Sequence, residues 1–234
     1  MDNLEVEGFV LSSIDFKEKS KIVYLYTKEG KISFKALSSN NPKKGMLPLI
    51  TSMNKVSVIL TNKEFPTSID FTLINSYQDI KDDLKKSLWY SFILEIISKL
   101  PSDSPHERVY SLLDEIFNLR NKYDGLLLTT TFMVKMTYAF GVSPVLKKCV
   151  ICNNPHPKYF SIKDGGALCF NHNHKDTYDN DILNALTNIY YIDIYKENLD
   201  SIKEYDMIKL FQIINIYYNN HVNIYLKGLN SLIF

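Results

Sequence analysis

The sequence predicts an α+β protein, a small N-terminal β-barrel followed by a helical domain, and three observations predict it. Apolar residues alternate with period two only in the first third of the chain, and stripes with the period of helices fill the remainder. All three cysteines then fall in one short window among the helices, spaced as metal ligands are.

With 234 residues, 45% of them apolar and 13% aromatic, the chain has the composition of a folded protein with a sizeable core. The formal net charge is +1, so binding to nucleic acid must come from local segregation of charge. An odd number of clustered cysteines argues against a secreted disulfide framework, and with no basic flank and apolar run after Met1 and no membrane-length apolar segment, neither a leader nor a membrane span is expected. The expected setting is the cytoplasm.

Val6, Phe9 and Leu11 begin the strand pattern. Ile22 to Tyr26 and Ile32 to Ala36 flank a turn at Lys28–Lys31 and read as a hairpin. Residues 38–44 are a loop by composition, and Val56–Leu60 and Ile69–Ile74 complete five strands. Five short strands in so few residues fit an OB-fold, with an SH3-like barrel as the rival that strand counting does not separate. The expected barrel domain is 1–78 and the helical domain 79–234.

Leu84, Leu88, Phe92 and Ile96 open the helical part, widened by Trp89, Ile93, Ile97 and Leu100, and Pro101 stops that helix. Ser104, Pro105 and Glu107 form a helix-start signal before Val109, Leu112, Leu113, Ile116 and Phe117. A third helix is expected over Leu126–Phe140, ending at Gly141 with Pro144 beyond, and two more over Ile182–Tyr195 and Met207–Tyr218. Ile224–Lys227 gives no clear pattern.

Cys149-Val150-Ile151-Cys152 and Cys169-Phe170-Asn171-His172 each place two residues between potential ligands, as the knuckles of a tetrahedral zinc site require. His174 and His156 compete for the fourth place, but only His172 keeps the two-residue spacing. Four protein ligands leave no position for a reacting water, so the zinc is expected to be structural and the module, 145–178, a clamp. Phosphate-cradling glycine loops and nucleophile elbows are missing, and Gly165-Gly166 reads as a tight turn. A non-enzymatic protein is expected.

The order barrel, helices, zinc module, helices resembles the bacterial recombination mediator RecO family. The resemblance is carried by Asp15–Val23 with Thr27 and Gly30-Lys31, by Tyr77–Leu84, and by Gly141, Pro144, Leu146, Cys149, Cys152, Phe160, Gly165-Gly166 and Leu168-Cys169. Many family members have a fourth cysteine where this chain has His172, and the family tends to have arginines where this chain reads Leu37–Pro42. The resemblance implies a protein that binds single- and double-stranded DNA and anneals strands. It also implies partnership with RecR and with the acidic, apolar tail of the single-strand DNA-binding protein, to help load RecA near the nucleoid.

Residues 17–55 hold nine lysines against Glu18 and Glu29. Lys17, Lys19 and Lys21 alternate, as do Lys31 and Lys35, so each set can share one face of a strand. With Lys43 and Lys44 these are the expected DNA contacts, and Phe16, Tyr24, Tyr26 and Phe34 offer rings for base stacking. The plain alternative is that the lysines solubilise the barrel and the rings fill its core. For the protein tail, Lys81, Lys85 and Lys86 are the candidate basic rim. A protein-interaction adaptor stabilised by zinc, its barrel without strong DNA affinity, is the alternative function.

Overall fold

The structure, a computed structural model, describes residues 3–39 and 45–222. Lys43, Lys44 and Ile224–Lys227 lie outside the described residues. The chain forms two compact units, Met1–Ser111 and Leu112–Phe234. The change from strand to helix comes earlier, between Asn75 and Gln78.

In the first unit, β1 (Leu4–Phe16), β2 (Ser20–Thr27), β3 (Gly30–Ala36), β4 (Lys55–Leu60) and β5 (Ser68–Asn75) form one antiparallel sheet in the order β3-β2-β1-β4-β5. The long β1 serves both sides: its first half pairs with β4 and its second with β2, with a register shift between Val10 and Ser12. Such a bulge bends a strand and lets it turn the corner of a barrel. The two ends of the sheet meet where Lys35 of β3 bridges Thr67 in parallel, the Lys35 amide donating to Pro66 O at 2.9 Å. Inward-facing Val10, Val23, Leu25, Phe34, Val56 and Val58 fill the interior. The one-turn helix α1 (Leu47–Ile50) places Leu49 in that core.

After α2 (Gln78–Lys81), α3 (Leu84–Ser98) opens on Asp83, whose carboxylate accepts from the Lys86 amide at 3.0 Å. The helix is buried more widely than one stripe, with Trp89, Tyr90, Phe92, Ile93, Leu94, Ile96 and Ile97 all inside. Leu84, expected on the buried face, is 77% exposed because it is the first residue of the helix. The next helix, α4 (His106–Asn118), begins just after Pro105, one residue later than the start signal places it, with the Pro105 carbonyl accepting from the Val109 amide at 3.1 Å.

The second unit is built around α5 (Gly125–Met136), capped by Asp124 and packed against α6 (Asn180–Tyr191) and α7 (Met207–His221). Regular α-helix stops at Met136 rather than Phe140. The chain continues as turns to Gly141, and the Val142 amide closes them on Thr137 O at 3.0 Å. Likewise α6 ends at Tyr191, four residues short of the expected Tyr195, because the chain leaves helical geometry at Ile192. A short hairpin, β6 (Tyr159–Ser161) with β7 (Gly166–Leu168), carries the cysteine module.

Candidate functional site

Two backbone knuckles build the candidate metal centre. In the first, the Asn153 amide donates to Cys149 O at 2.9 Å, and the Cys149 amide to Asn154 O at 2.9 Å. In the second, the His172 amide closes on Cys169 O at 3.1 Å. The hairpin brings the knuckles together: the Val150 amide donates to Ala167 O, one residue from the end of β7, at 2.9 Å.

The ligand atoms of Cys149, Cys152, Cys169 and His172 all lie within 4.8 Å of one another. Cys152 Sγ is 3.8 Å from Cys169 Sγ, and His172 Nδ1 is 3.5 Å from Cys149 Sγ and 3.4 Å from Cys169 Sγ. A tetrahedral ion bonded at about 2.3 Å to sulfur and about 2.0–2.1 Å to nitrogen requires S···S edges of about 3.8 Å and S···N edges of about 3.6 Å. The distances therefore fit one shared ion, and they are far too long for a disulfide, whose sulfurs sit about 2.05 Å apart. Burial pushes the Cys149 thiol up, but the amides of Cys152, Cys169 and Ile151 outweigh it and hold the group at about 6. The first proton is thus lost from the interacting Cys149–Cys152 pair, and the Cys152 thiol is raised.

His174, the competing ligand, is turned elsewhere: its Nε2 pairs with Asp164 Oδ2 at 2.9 Å. The Ser161 hydroxyl and His174 together hold the Asp164 carboxyl below its ordinary range. His156 is exposed outside the cluster. His221 serves the module from α7, its Nε2 donating to Ile162 O at 2.6 Å. No spacing rule marks His221 in the sequence, because its partner is a backbone carbonyl 59 residues away.

The barrel lysines divide. Lys17 and Lys19 stand in the tight β1–β2 turn, so their alternation does not place them on a strand face. Lys21 is paired with Asp15 at 2.7 Å, and Lys55 with Glu7 at 3.2 Å. Lys31 Nζ donates to Ser98 O at 2.9 Å and Leu100 O at 2.8 Å, and burial lowers its pKa. Lys35 Nζ lies 4.6 Å from the Phe65 ring centroid and 5.9 Å from that of Phe16, and Lys17 Nζ lies 5.4 Å from Phe16. Tyr26 and Phe34, expected as stacking rings, are fully buried: Phe34 fills the barrel, and Tyr26 packs on His106 and Tyr110. Tyr24 remains 38% exposed. Sequence reading missed Phe65, and its signal was an aromatic residue in the β4–β5 loop.

Of the proposed rim, Lys81 is half-buried on Asn54 Oδ1 and its pKa is lowered by burial. Lys85 is exposed and Lys86 half-buried in the first turn of α3. No described helix is long and apolar enough to cross a membrane.

Comparison with known proteins matches both parts of the chain. Residues 1–77 match the family described as Recombination protein O N terminal, and residues 81–230 match Recombination protein O C terminal. The chain is 28% identical over 234 residues to the DNA repair protein RecO of Halalkalibacterium halodurans, spanning 96% of this chain and 92% of that protein. Against the DNA repair protein RecO of Bacillus mycoides it is 26% identical over 232 residues, spanning 95% and 94%. A five-stranded sheet, helices and a cluster of three cysteines and a histidine thus lie along a chain matched nearly end to end, and the chain belongs to the RecO family of DNA repair and recombination proteins.

Proposed function

We propose that this protein is a non-enzymatic recombination mediator that binds single- and double-stranded DNA and anneals strands. With RecR it would help load RecA on DNA coated by single-strand DNA-binding protein, whose tail the helical domain (79–234) would receive near Lys85 and Lys86. The observation that carries the DNA reading is the cluster of Phe16, Lys17, Lys35 and Phe65. The strand order, with β1 central and β3 returning to the start of β5, supports the OB-fold reading over the SH3-like one. OB-folds bind oligonucleotides through the β2–β3 face and the β1–β2 and β4–β5 loops. Phe16 ends β1 where Lys17 opens the first of these loops, Phe65 comes from the second, and Lys35 from β3. Two rings and two ammonium groups there can stack bases and neutralise phosphates whatever the sequence.

The same reading assigns the cluster of Cys149, Cys152, Cys169 and His172 to Zn(2+), which three thiolates and an imidazole suit. When bound, the ion would cross-link the two knuckles and hold them on the hairpin. Metal analysis of purified protein should find one zinc per chain, and Cys149→Ser should lose it. A wild-type protein prepared without chelator and free of zinc overturns this assignment.

A labelled oligonucleotide titrated at several salt concentrations tests the DNA reading. Affinity should fall steeply with salt, by about 0.7 in log–log slope per neutralised phosphate on single strands. Lys17→Gln with Lys35→Gln should flatten that slope. No binding even at low salt would leave the second reading, a zinc-stabilised adaptor. The engagement of Lys21, Lys31 and Lys55 by partners within the protein favours that alternative, since it ties up three of the barrel's cations.

A further inference from the structure

We propose that the metal module is itself a contact for single-stranded nucleic acid, with the Phe170 ring as a stacking platform and Lys148, Lys158 and Lys175 as phosphate contacts. This rests on the DNA-binding reading above but places a second site in the other compact unit. Phe170 is 74% exposed, the most exposed aromatic ring among the described residues, and Ile151 on the opposite knuckle is 54% exposed. Covering both side chains together would remove apolar surface from water, which favours an occupant with flat apolar faces. Phe170 sits between Cys169 and His172 in a closed turn, so its backbone is fixed before any ligand arrives. On a fixed backbone only the ring's two side-chain torsions remain to be ordered on stacking.

Charge decides the occupant. Residues 145–178 contain five lysines and two aspartates, and Asp164 is tied to Ser161 and His174. Lys148 precedes the first knuckle, and the Lys158 amide bonds to Leu168 O at 2.8 Å, which sets that lysine beside the second. Lys147 Nζ lies 3.8 Å from the centroid of Tyr191, a half-exposed ring at the end of α6. Exposed rings interleaved with lysines match a strand of phosphates and unstacked bases.

The test uses the full-length, metal-loaded protein with a fluorescein-labelled oligothymidylate and an abasic strand of equal length. Phe170→Ala should weaken oligothymidylate binding about tenfold, leave the abasic strand unaffected, and retain metal; Phe170→Trp should restore affinity. Lys158→Gln with Lys175→Gln should flatten the salt slope by about 0.7 per lysine. Equal binding of Phe170→Ala and wild type to oligothymidylate overturns the proposal. So does equal weakening on both strands with metal loss, which would make the ring a support of the module. Dependence of an acidic amphipathic peptide, rather than the strand, on Phe170 also overturns it, in favour of a protein partner. If wild type binds neither strand, the barrel reading fails too. If only Lys17→Gln with Lys35→Gln weakens binding, the barrel reading stands and this one falls.

Discussion

Lys31 and Lys135 both end on backbone carbonyls at the C-terminal end of a helix, where ammonium groups complement the unpaired acceptors and the helix dipole. Lys31 does so at the end of α3, through Ser98 O and Leu100 O, and the sequence marks it only as one lysine among nine. Lys31→Met should therefore destabilise the first unit by roughly 1–2 kcal/mol in urea denaturation while leaving the salt slope for DNA unchanged. Lys135 is the deeper case. It donates to Ile192 O at 2.6 Å and Tyr190 O at 3.2 Å, and burial, partly offset by Asp193 and Glu197, brings its pKa down to about 8. The unfolded chain, with an ordinary lysine, then binds more protons than the folded one between about pH 8 and 10.5. This group's contribution to stability rises with pH across that window and is lost as pH falls through 8. Tyr217, pushed up to about 12 by burial, acts oppositely above pH 10, where its unfolded form ionises first. The difference between wild type and Lys135→Met, measured by urea midpoints from pH 7.5 to 10, isolates the lysine. An identical pH dependence in both proteins would refute its assigned role.

At the scale of elements, what could be read from the sequence depended on how local the governing geometry is. The knuckles were legible because two residues between ligands is a property of one turn, and the strands because period two persists on a half-buried barrel wall. Helix burial was less so. Thr129, Thr130 and Thr131 read as polar, yet all three are fully buried because α5 is packed on more than one side. Tyr26 and Phe34 gave the same signal as exposed rings, and only closure of the barrel and the approach of His106 and Tyr110 decide their burial. Gly166 shows how tightly the metal hairpin is seated. A Cβ there would stand 2.4 Å from Val145 O and 2.9 Å from Val145 N, both backbone atoms that cannot rotate away. The Ala167 amide donates to that carbonyl at 2.6 Å, two residues before Cys169. Gly166→Ala should push the strand off its neighbour and lower metal affinity at least tenfold, read by chelator competition, whereas Lys163→Ala in the exposed turn should not.

For the whole molecule, the order of parts was legible but the division into compact units was not. Composition and period change near residue 78, whereas the first compact unit runs to Ser111 because α3 and the start of α4 pack with the barrel. Packing between distant segments leaves no mark on local periodicity. This arrangement supplies its own probe, since the chain's one tryptophan, Trp89, is buried in α3 of the first unit, while all four candidate ligands lie in the second. If the ion holds the knuckles together, its removal costs folding free energy only where the ligands are. Chelation should lower the thermal midpoint of far-UV ellipticity and expose the Lys148–Lys175 region to trypsin, with Trp89 emission unchanged. Unfolding followed by the two optical signals would then cease to coincide, the sign that the chain no longer melts as one unit. If Trp89 emission shifts together with metal release, the two cores are coupled and stability cannot be divided at residue 111.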